Sequence, residues 1–212
     1  MMSIGGVSAC WVLGSPSWLP VWRGAPNTAL TTLCFLAAAA AVRTGVLARY
    51  QWSVAAGLGF SALGDAFLMQ SKDYFVAGLA SFLAAHLCYL WAFTADSPLA
   101  GRRMPFAIGG VLGAALLARL WPGVAGALRV PVILYTTAIL AMAAQASSRA
   151  LSRRSAAAIF AAAGAALFVL SDSALAYRRF CGPFEWSRAI VLGTYFAAQA
   201  GIAMSVVMEP GR

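Results

Sequence analysis

Charged residues are scarce in this chain of 212 residues: 10% are Asp, Glu, Lys or Arg, whereas 62% are hydrophobic. A typical soluble domain has about 25% charged residues. So few charges do not cover a globular surface with solvated groups, and the mean hydropathy of +0.80 points the same way. The composition therefore excludes a soluble enzyme. We expect residues 1–212 to form a single multi-pass transmembrane domain.

Histidine, lysine and cysteine are also scarce, and each shortage removes a class of function. The chain has one histidine, whereas a catalytic zinc site usually draws on several. Retinal needs a lysine within a helix, but the sole lysine, Lys72, lies between apolar runs. The four cysteines are widely spaced and show neither metal-ligand spacing nor a disulfide framework. We therefore expect no metal and no cofactor.

Basic residues outnumber acidic ones by 15 to 6, which gives a net charge of +9. In a soluble protein this excess would suggest nucleic acid. Here the basic residues lie in short loops between apolar runs, where lipid contact and membrane topology explain them better. We expect a membrane lipid, and no nucleic acid, as the partner. The basic residues are divided almost evenly between alternate loops, so membrane sidedness stays open, as does the oligomeric state.

Apolar runs separated by charged or helix-breaking residues divide the chain into about eight segments. In lipid, every backbone polar group must be bonded internally, and long single segments achieve this as helices. The sequence therefore predicts an all-α, polytopic transmembrane helix bundle of about eight helices, the first one short or irregular, with seven as the alternative count. The predicted helices are 1–14, 27–42, 53–70, 74–95, 104–121, 129–147, 155–177 and 187–208.

Ionisable residues inside these helices are few, and an intramembrane ionisable residue indicates a functional site. Asp65, His86 and Asp172 are the ones that lie well within predicted helices. Asp65 and Asp172 each precede a basic residue by six or seven positions, which places both roughly 9–11 Å below one membrane face. The remaining acidic residues lie at helix ends or in loops, and we expect them to be solvated: Asp73, Asp96, Glu185 and Glu209.

Several other polar residues reach a similar depth if successive helices alternate in direction. Tyr135 and Tyr195 enter from that same face, and Gln199 follows one turn below Tyr195. His86 and Tyr89 lie deeper in the fourth predicted helix. We therefore expect one cavity, open to one face, that these side chains and the two carboxyls line. Each of them has a simpler interpretation as an interhelical bond or a packing residue, and the two aspartates at matched depth are the more specific signal.

Short motifs surround the same residues. They are Gly64-Asp65, Ala85-His86-Leu87-Cys88-Tyr89, Ser171-Asp172 and Tyr195-Phe196-Ala197-Ala198-Gln199. In this order they resemble the lysoplasmalogenase (YhhN-type) family of integral membrane proteins, and the resemblance covers about residues 50–208. It implies a multi-pass enzyme that hydrolyses the vinyl ether bond of lysoplasmalogens to a fatty aldehyde and glycerophosphoethanolamine or glycerophosphocholine.

The residues suit the chemistry that the resemblance implies, in which an alkene carbon is protonated and water captures the oxocarbenium ion. This needs one carboxylic acid and one carboxylate, and two nearby carboxyls in apolar surroundings titrate separately. Our hypothesis assigns Asp65 and Asp172 to this pair, without choosing the acid, and adds His86 as a catalytic residue. The expected substrate-binding residues are Tyr89, Tyr135, Tyr195 and Gln199, with Lys72, Arg178 and Arg179 for the phosphate.

The main alternative is a proton-coupled transporter or a lipid-binding membrane protein that uses the same aspartates. Transporters often have two related halves with broken helices, and the sequence shows neither, which favours the enzyme. A third interpretation is hydrolysis of another lipid ether or an epoxide. The alanine-rich composition favours a bacterial cell (inner) membrane, with the endoplasmic reticulum membrane as the alternative.

Overall fold

A computed structural model describes residues 48–70 and 74–209, and within them the regular structure is helical. The all-α prediction is therefore confirmed. The predicted helices 1–14 and 27–42, together with Lys72 and Asp73, lie outside the described residues, so the predicted count of about eight is not matched. The six described α-helices are α1 (Ala48–Leu68), α2 (Phe75–Phe93), α3 (Arg103–Leu120), α4 (Gly126–Arg153), α5 (Ala156–Phe180) and α6 (Ser187–Val207).

Helices α2 to α6 are long and apolar enough to cross a membrane, so the chain is a multi-pass membrane protein. Most helix ends differ from the predicted ones by three residues or fewer, but α1 begins five residues before position 53. Its first turn carries Arg49, whose Nη2 donates to the carbonyl oxygen of Thr94 at 2.6 Å. The guanidinium also lies 4.8 Å from the ring centroid of Trp91. Arg49 therefore lies at the edge of an apolar run in the sequence but inside the helix in the structure.

Five of these helices form a closed ring. Along the ring, α1 packs on α2, α2 on α4, α4 on α5, α5 on α6, and α6 on α1. Helix α3 lies outside the ring against α4, with a smaller contact to α5. Only 11% of its membrane-spanning window is buried, against 33–39% for α2, α4, α5 and α6. The interior of the ring is therefore the place where polar side chains are withdrawn from lipid.

Glycines on α1 allow aromatic rings of α2 to enter this interior. A Cβ atom on Gly57 would overlap the ring of Tyr89, and one on Gly64 would lie 2.7 Å from the ring of Phe82. Small residues permit this close approach of helices in membranes. The Gly64-Asp65 motif therefore serves packing at its first residue and supplies a buried carboxyl at its second.

A buried ionic cluster closes one end of the ring, where α4 continues six residues past the predicted end at 147. Arg149 is fully buried and donates to both carboxylate oxygens of Asp96 at 2.7 and 2.9 Å. It also donates to Glu209 at 2.8 Å, and Arg153 lies 3.2 Å from Asp96. The prediction that Asp96 and Glu209 are solvated is wrong, because the ends of α2, α4 and α6 meet here and enclose both carboxylates.

Candidate active site

The first polar group inside the ring joins three helices around Asp172 of α5. The hydroxyl of Tyr135 on α4 donates to Oδ2 of Asp172. His86 Nε2 on α2 lies 3.0 Å from that hydroxyl oxygen and 3.5 Å from the same carboxylate oxygen. The imidazole is fully buried, whereas 12% of the Asp172 side chain is exposed. We call these three residues the Asp172 group.

The second polar group is a chain of hydrogen bonds that ends on Asp65 of α1. The hydroxyl of Tyr195 donates to Asp65 Oδ2 at 2.9 Å, and Gln199 Nε2 donates to the Tyr195 oxygen at 2.9 Å. The hydroxyl of Tyr89 donates to Gln199 Oε1 at 3.1 Å, and Ser61 Oγ lies 3.3 Å from that hydroxyl. Residues four apart share a helix face, which is why Tyr195 and Gln199 meet. These five residues are the Asp65 group.

Two phenylalanines lie between the groups, and they are functional candidates that the sequence analysis missed. The ring centroid of Phe168 lies 4.8 Å from that of His86 and 5.4 Å from that of Tyr195, both edge-on. The ring of Phe82 contacts Phe168 and Tyr195, with centroids 6.3 and 5.9 Å away. Helical spacing is a signal that would have found both, since Phe168 precedes Asp172, and Phe82 precedes His86, by four residues.

A cavity of about 40 Å³ reaches the Asp172 group. A buried water needs about 10–15 Å³, so this cavity has room for water. Its lining residues are Tyr135 and Asp172 with the apolar side chains Leu68, Phe75, Leu79, Phe82, Leu175 and Ala176. Larger grooves of about 380 and 520 Å³ lie beside α3, and their linings contain no carboxylate or imidazole.

The structure brings most of the predicted site residues into one layer of the ring but divides them between two groups. Of that set, Tyr135 and Asp172 line the small cavity, so the expectation that all of them line one cavity is not met. His86 stands behind Tyr135, and Phe82 forms the wall between the cavity and Tyr195. The aromatic layer is the physical reason for the division.

The predicted phosphate-binding residues occupy the last turn of α5, at the end of the ring where the cavity lies. Arg179 is exposed, and its guanidinium lies 4.7 Å from the ring centroid of Phe75, a cavity-lining residue. Arg178 is half-buried one position earlier, about 100° around the helix. The third predicted base, Lys72, lies outside the described residues.

The arrangement provides proton chemistry in a water-poor setting. A carboxyl and a phenol face the cavity together, a second carboxyl lies behind an aromatic wall, and the surroundings are largely apolar. Charge that develops in such a site is stabilised more strongly than in water. Within residues 48–70 and 74–209, no group of three His, Cys, Asp or Glu residues is placed to hold a metal ion.

Comparison with known proteins identifies the family. The YhhN family model matches residues 27–206. Lysoplasmalogenase TMEM86A of Bos taurus is 35% identical over 203 residues, which are 92% of this chain and 83% of that protein. Lysoplasmalogenase TMEM86A of Homo sapiens is 35% identical over 209 residues, which are also 92% of this chain and 83% of that protein. The lysoplasmalogenase of Mycobacterium bovis is 33% identical over 176 residues, which are 79% of this chain and 65% of that protein. No solved structure matches the chain significantly. The chain therefore belongs to the YhhN family.

Proposed function

We propose that this protein is a lysoplasmalogenase, a membrane hydrolase that cleaves the vinyl ether bond of lysoplasmenylethanolamine or lysoplasmenylcholine. The products are a fatty aldehyde and glycerophosphoethanolamine or glycerophosphocholine. The observation that carries the proposal is the carboxyl–phenol pair of Asp172 and Tyr135 at a water-sized cavity inside a membrane bundle. Its similarity to lysoplasmalogenases from cattle, humans and a mycobacterium supports the substrate class.

The reaction consumes one water molecule and returns its catalytic proton. A proton adds to the vinyl carbon farther from the ether oxygen, and the remaining positive charge is shared by the other vinyl carbon and that oxygen. Water then attacks the cationic carbon and loses a proton, which gives a hemiacetal. Collapse of the hemiacetal breaks the bond between this carbon and the glycerol oxygen and releases aldehyde and alcohol. One proton donor and one carboxylate suffice for these steps.

Asp172 is the carboxyl that meets the reacting atoms in this proposal, because it shares the cavity wall with Tyr135. Its Oδ2 accepts from Tyr135, and in the acid form its Oδ1 carries the proton that adds to the vinyl carbon. Asp65 is the second carboxyl, and Tyr195 holds it behind the ring of Phe82. Its negative charge stabilises the oxocarbenium ion across a low-dielectric layer. Gln199 and Tyr89 complete the chain of hydrogen bonds that orients Tyr195.

The lipid enters along the apolar side of the cavity. Leu79, Phe75 and Leu175 provide a surface for the alkenyl chain. Arg178 and Arg179 receive the phosphate, since an arginine can bind phosphate through two parallel hydrogen bonds, and Lys72 is the third proposed contact. A volume of about 40 Å³ holds water but not a lipid chain, so binding widens the cavity.

We further propose that the whole chain has about eight membrane helices, with the additional ones at 1–14 and 27–42. The alanine-rich composition supports a bacterial cell (inner) membrane as its location, with the endoplasmic reticulum membrane as the alternative. The partner is a lysophospholipid, and nucleic acid has no role in this proposal.

The test uses purified full-length protein in lipid nanodiscs with Asp172→Asn and Asp65→Asn variants. We expect each to reduce aldehyde release from lysoplasmenylethanolamine by about 100- to 10,000-fold, the usual contribution of acid–base catalysis. Glu185→Gln is the matched control, because that carboxyl is exposed in the loop before α6, and it should retain full activity. Near-normal turnover by either aspartate variant would contradict the two-carboxyl mechanism. Proton-coupled uptake into proteoliposomes without hydrolysis would favour the transporter alternative.

A further inference from the structure

We infer that His86 is a positioning residue that carries its proton on Nε2 and donates it to the oxygen of Tyr135. This hydrogen bond commits the Tyr135 hydroxyl proton to Asp172. The catalytic consequence rests on the proposed function, whereas the position of the proton on the imidazole is independent of any substrate. The inference therefore deepens the account of the Asp172 group and has a test of its own.

The number of protons available within the Asp172 group determines the direction of its hydrogen bonds. A tyrosine hydroxyl has one proton to donate and lone pairs to accept with. The hydroxyl of Tyr135 donates this one proton in a hydrogen bond to Oδ2 of Asp172. His86 Nε2 lies 3.0 Å from the hydroxyl oxygen of Tyr135. Since the hydroxyl proton is committed to Asp172, the second contact is a hydrogen bond only if Nε2 is the donor.

The surroundings of the other ring nitrogen of His86 favour the same tautomer. Among the described residues, Nδ1 of His86 has no hydrogen-bond partner, and the side chain is fully buried. The ring of Phe168 packs against the imidazole with centroids 4.8 Å apart. A buried N–H without an acceptor is rarer in proteins than an unsatisfied acceptor. The form with its proton on Nε2 leaves only a lone pair at Nδ1, so it is the favoured tautomer.

The Asp65 group repeats this pattern with an amide N–H as the donor. There the hydroxyl of Tyr195 donates to Asp65, and the amide nitrogen of Gln199 donates to the Tyr195 oxygen at 2.9 Å. The orientation of this amide is set by Tyr89, whose hydroxyl donates to its oxygen at 3.1 Å. Each aspartate therefore accepts a hydrogen bond from a tyrosine whose own oxygen lies within hydrogen-bond distance of a ring or amide nitrogen.

This arrangement fixes the direction of both hydrogen bonds within the Asp172 group. The Tyr135 hydroxyl points towards Asp172 instead of towards bulk lipid or a bound water. Loss of the donor on His86 releases this hydroxyl without removing the carboxyl that faces the substrate. We therefore expect the loss to lower kcat and to leave KM nearly unchanged.

The direct test is nitrogen NMR of the single histidine among the 212 residues. The full chain is labelled with ¹⁵N-histidine, purified without a polyhistidine tag and measured in nanodiscs at neutral pH. Protonated and unprotonated ring nitrogens give separate resonances, so the tautomer is read directly. We expect a protonated Nε2 and an unprotonated Nδ1. A proton on Nδ1, or on both nitrogens, would overturn the inference.

Tyrosine variants provide the spectroscopic control. In Tyr135→Phe the Nε2 proton loses its acceptor, so its resonance should shift, whereas Tyr177→Phe on the opposite face of α5 should leave it in place. Tyr177 is a suitable control because its hydroxyl accepts a hydrogen bond from Arg119 at 3.0 Å instead of from His86. An Nε2 resonance that does not shift in Tyr135→Phe would overturn the inference.

Kinetic rescue provides the second readout. His86→Gln keeps an N–H donor at similar reach and should keep kcat within about tenfold of the wild type. In His86→Leu, kcat should fall by a further factor of about 10 to 100, the loss expected for one hydrogen bond to a polar or charged partner. Equal kcat in the two folded variants would overturn the positioning role. If the wild type hydrolyses no lysoplasmalogen but the proton lies on Nε2, the proposed function fails while the proton placement stands.

Discussion

At the scale of single residues, two tyrosine–aspartate pairs carry the proposed chemistry. Tyr135 donates to Asp172 and Tyr195 donates to Asp65, yet only the first pair lines the cavity. Tyr135 orients a carboxyl that meets the reacting atoms, whereas Tyr195 orients a carboxyl that acts across an aromatic wall. We therefore expect the Tyr135–Asp172 pair to contribute more to catalysis than the Tyr195–Asp65 pair.

This difference predicts the order of two matched variants. We expect Tyr135→Phe to lower kcat for aldehyde release more than Tyr195→Phe does. The loss in Tyr135→Phe should be about 10- to 100-fold, as for one hydrogen bond to a polar or charged partner. Tyr177→Phe should have wild-type activity because Tyr177 pairs with Arg119 instead. Initial rates over a range of substrate concentrations give the comparison. A larger loss in Tyr195→Phe would reverse our assignment of the two carboxyls.

Arg149 is the residue whose removal should most affect stability. It is fully buried and donates to the carboxylates of Asp96 and Glu209 at 2.7–2.9 Å. Removing one partner of a buried ion pair leaves uncompensated charge and costs about 3–5 kcal/mol. Arg149→Met should therefore lower the unfolding free energy by about that amount, measured by denaturant unfolding in detergent micelles. Exposed Arg103 is the control, and an equal effect of Arg103→Met would contradict the role of burial.

The sequence predicted which polar residues meet inside the ring better than it predicted this ionic cluster. Asp65, His86 and Asp172 lie in the middle of apolar runs, where a charged group has few explanations other than function. Asp96 and Glu209 follow helix ends, and a residue there faces either water or a neighbouring helix. Which of the two applies depends on where three separate helices end relative to one another, and a single sequence does not contain that information.

At the scale of helices, the apolar runs predicted where helices lie but not which of them form the ring. Helix α3 has the length and composition of a membrane helix like its neighbours, yet only 11% of its window is buried. Its packing is set by Gly113, where a Cβ atom would meet the side chain of Leu140 on α4. Periodicity in a uniformly apolar helix is weak, so its position outside the ring becomes visible only in the structure.

The crossing of α5 and α6 should be the contact most sensitive to a small substitution. A Cβ atom on Gly164 would lie 2.8 Å from the carbonyl oxygen of Ala198 and 2.9 Å from the backbone nitrogen of Ile202. Because backbone atoms do not move aside easily, Gly164→Ala should force the helices apart and lower stability by about 1–3 kcal/mol.

The matched control for that variant is Gly193→Ala on α6, where a Cβ atom would meet nothing within 4 Å. Alanine is a better helix former than glycine by roughly 0.8–1.0 kcal/mol, so this control should be neutral or stabilising. Thermal unfolding of both variants in the same detergent makes the comparison. A Gly164→Ala protein as stable as Gly193→Ala would show that α5 and α6 do not approach this closely.

At the scale of the whole molecule, the ring separates a structural end from a reactive end. Arg149 and Tyr135 are 14 residues apart on α4, a distance of about 21 Å along the helix. The ionic cluster holds the ends of α2, α4 and α6 together, while the opposite end contains the cavity and the exposed Arg179. We therefore expect the residues at the reactive end to select the substrate.

Three lipids that share one headgroup test that selection. Protonation of an alkene carbon requires the vinyl ether, so purified protein should release product from lysoplasmenylethanolamine. The saturated ether analogue and the acyl lysophospholipid of equal chain length should stay intact under the same conditions. Mass spectrometry of the headgroup product gives all three rates. Comparable cleavage of the saturated ether would exclude the oxocarbenium route, because that bond offers no carbon to protonate.

The central claim, that the protein protonates the vinyl carbon before water attacks, is tested most directly in deuterium oxide. The wild-type protein in nanodiscs hydrolyses lysoplasmenylethanolamine in D₂O, the aldehyde is reduced immediately to prevent exchange, and its deuterium content is located by mass spectrometry. Our account predicts one deuterium on the carbon next to the former carbonyl carbon, formed far more slowly by Asp172→Asn. Aldehyde without that deuterium, or headgroup release without aldehyde, would contradict the account.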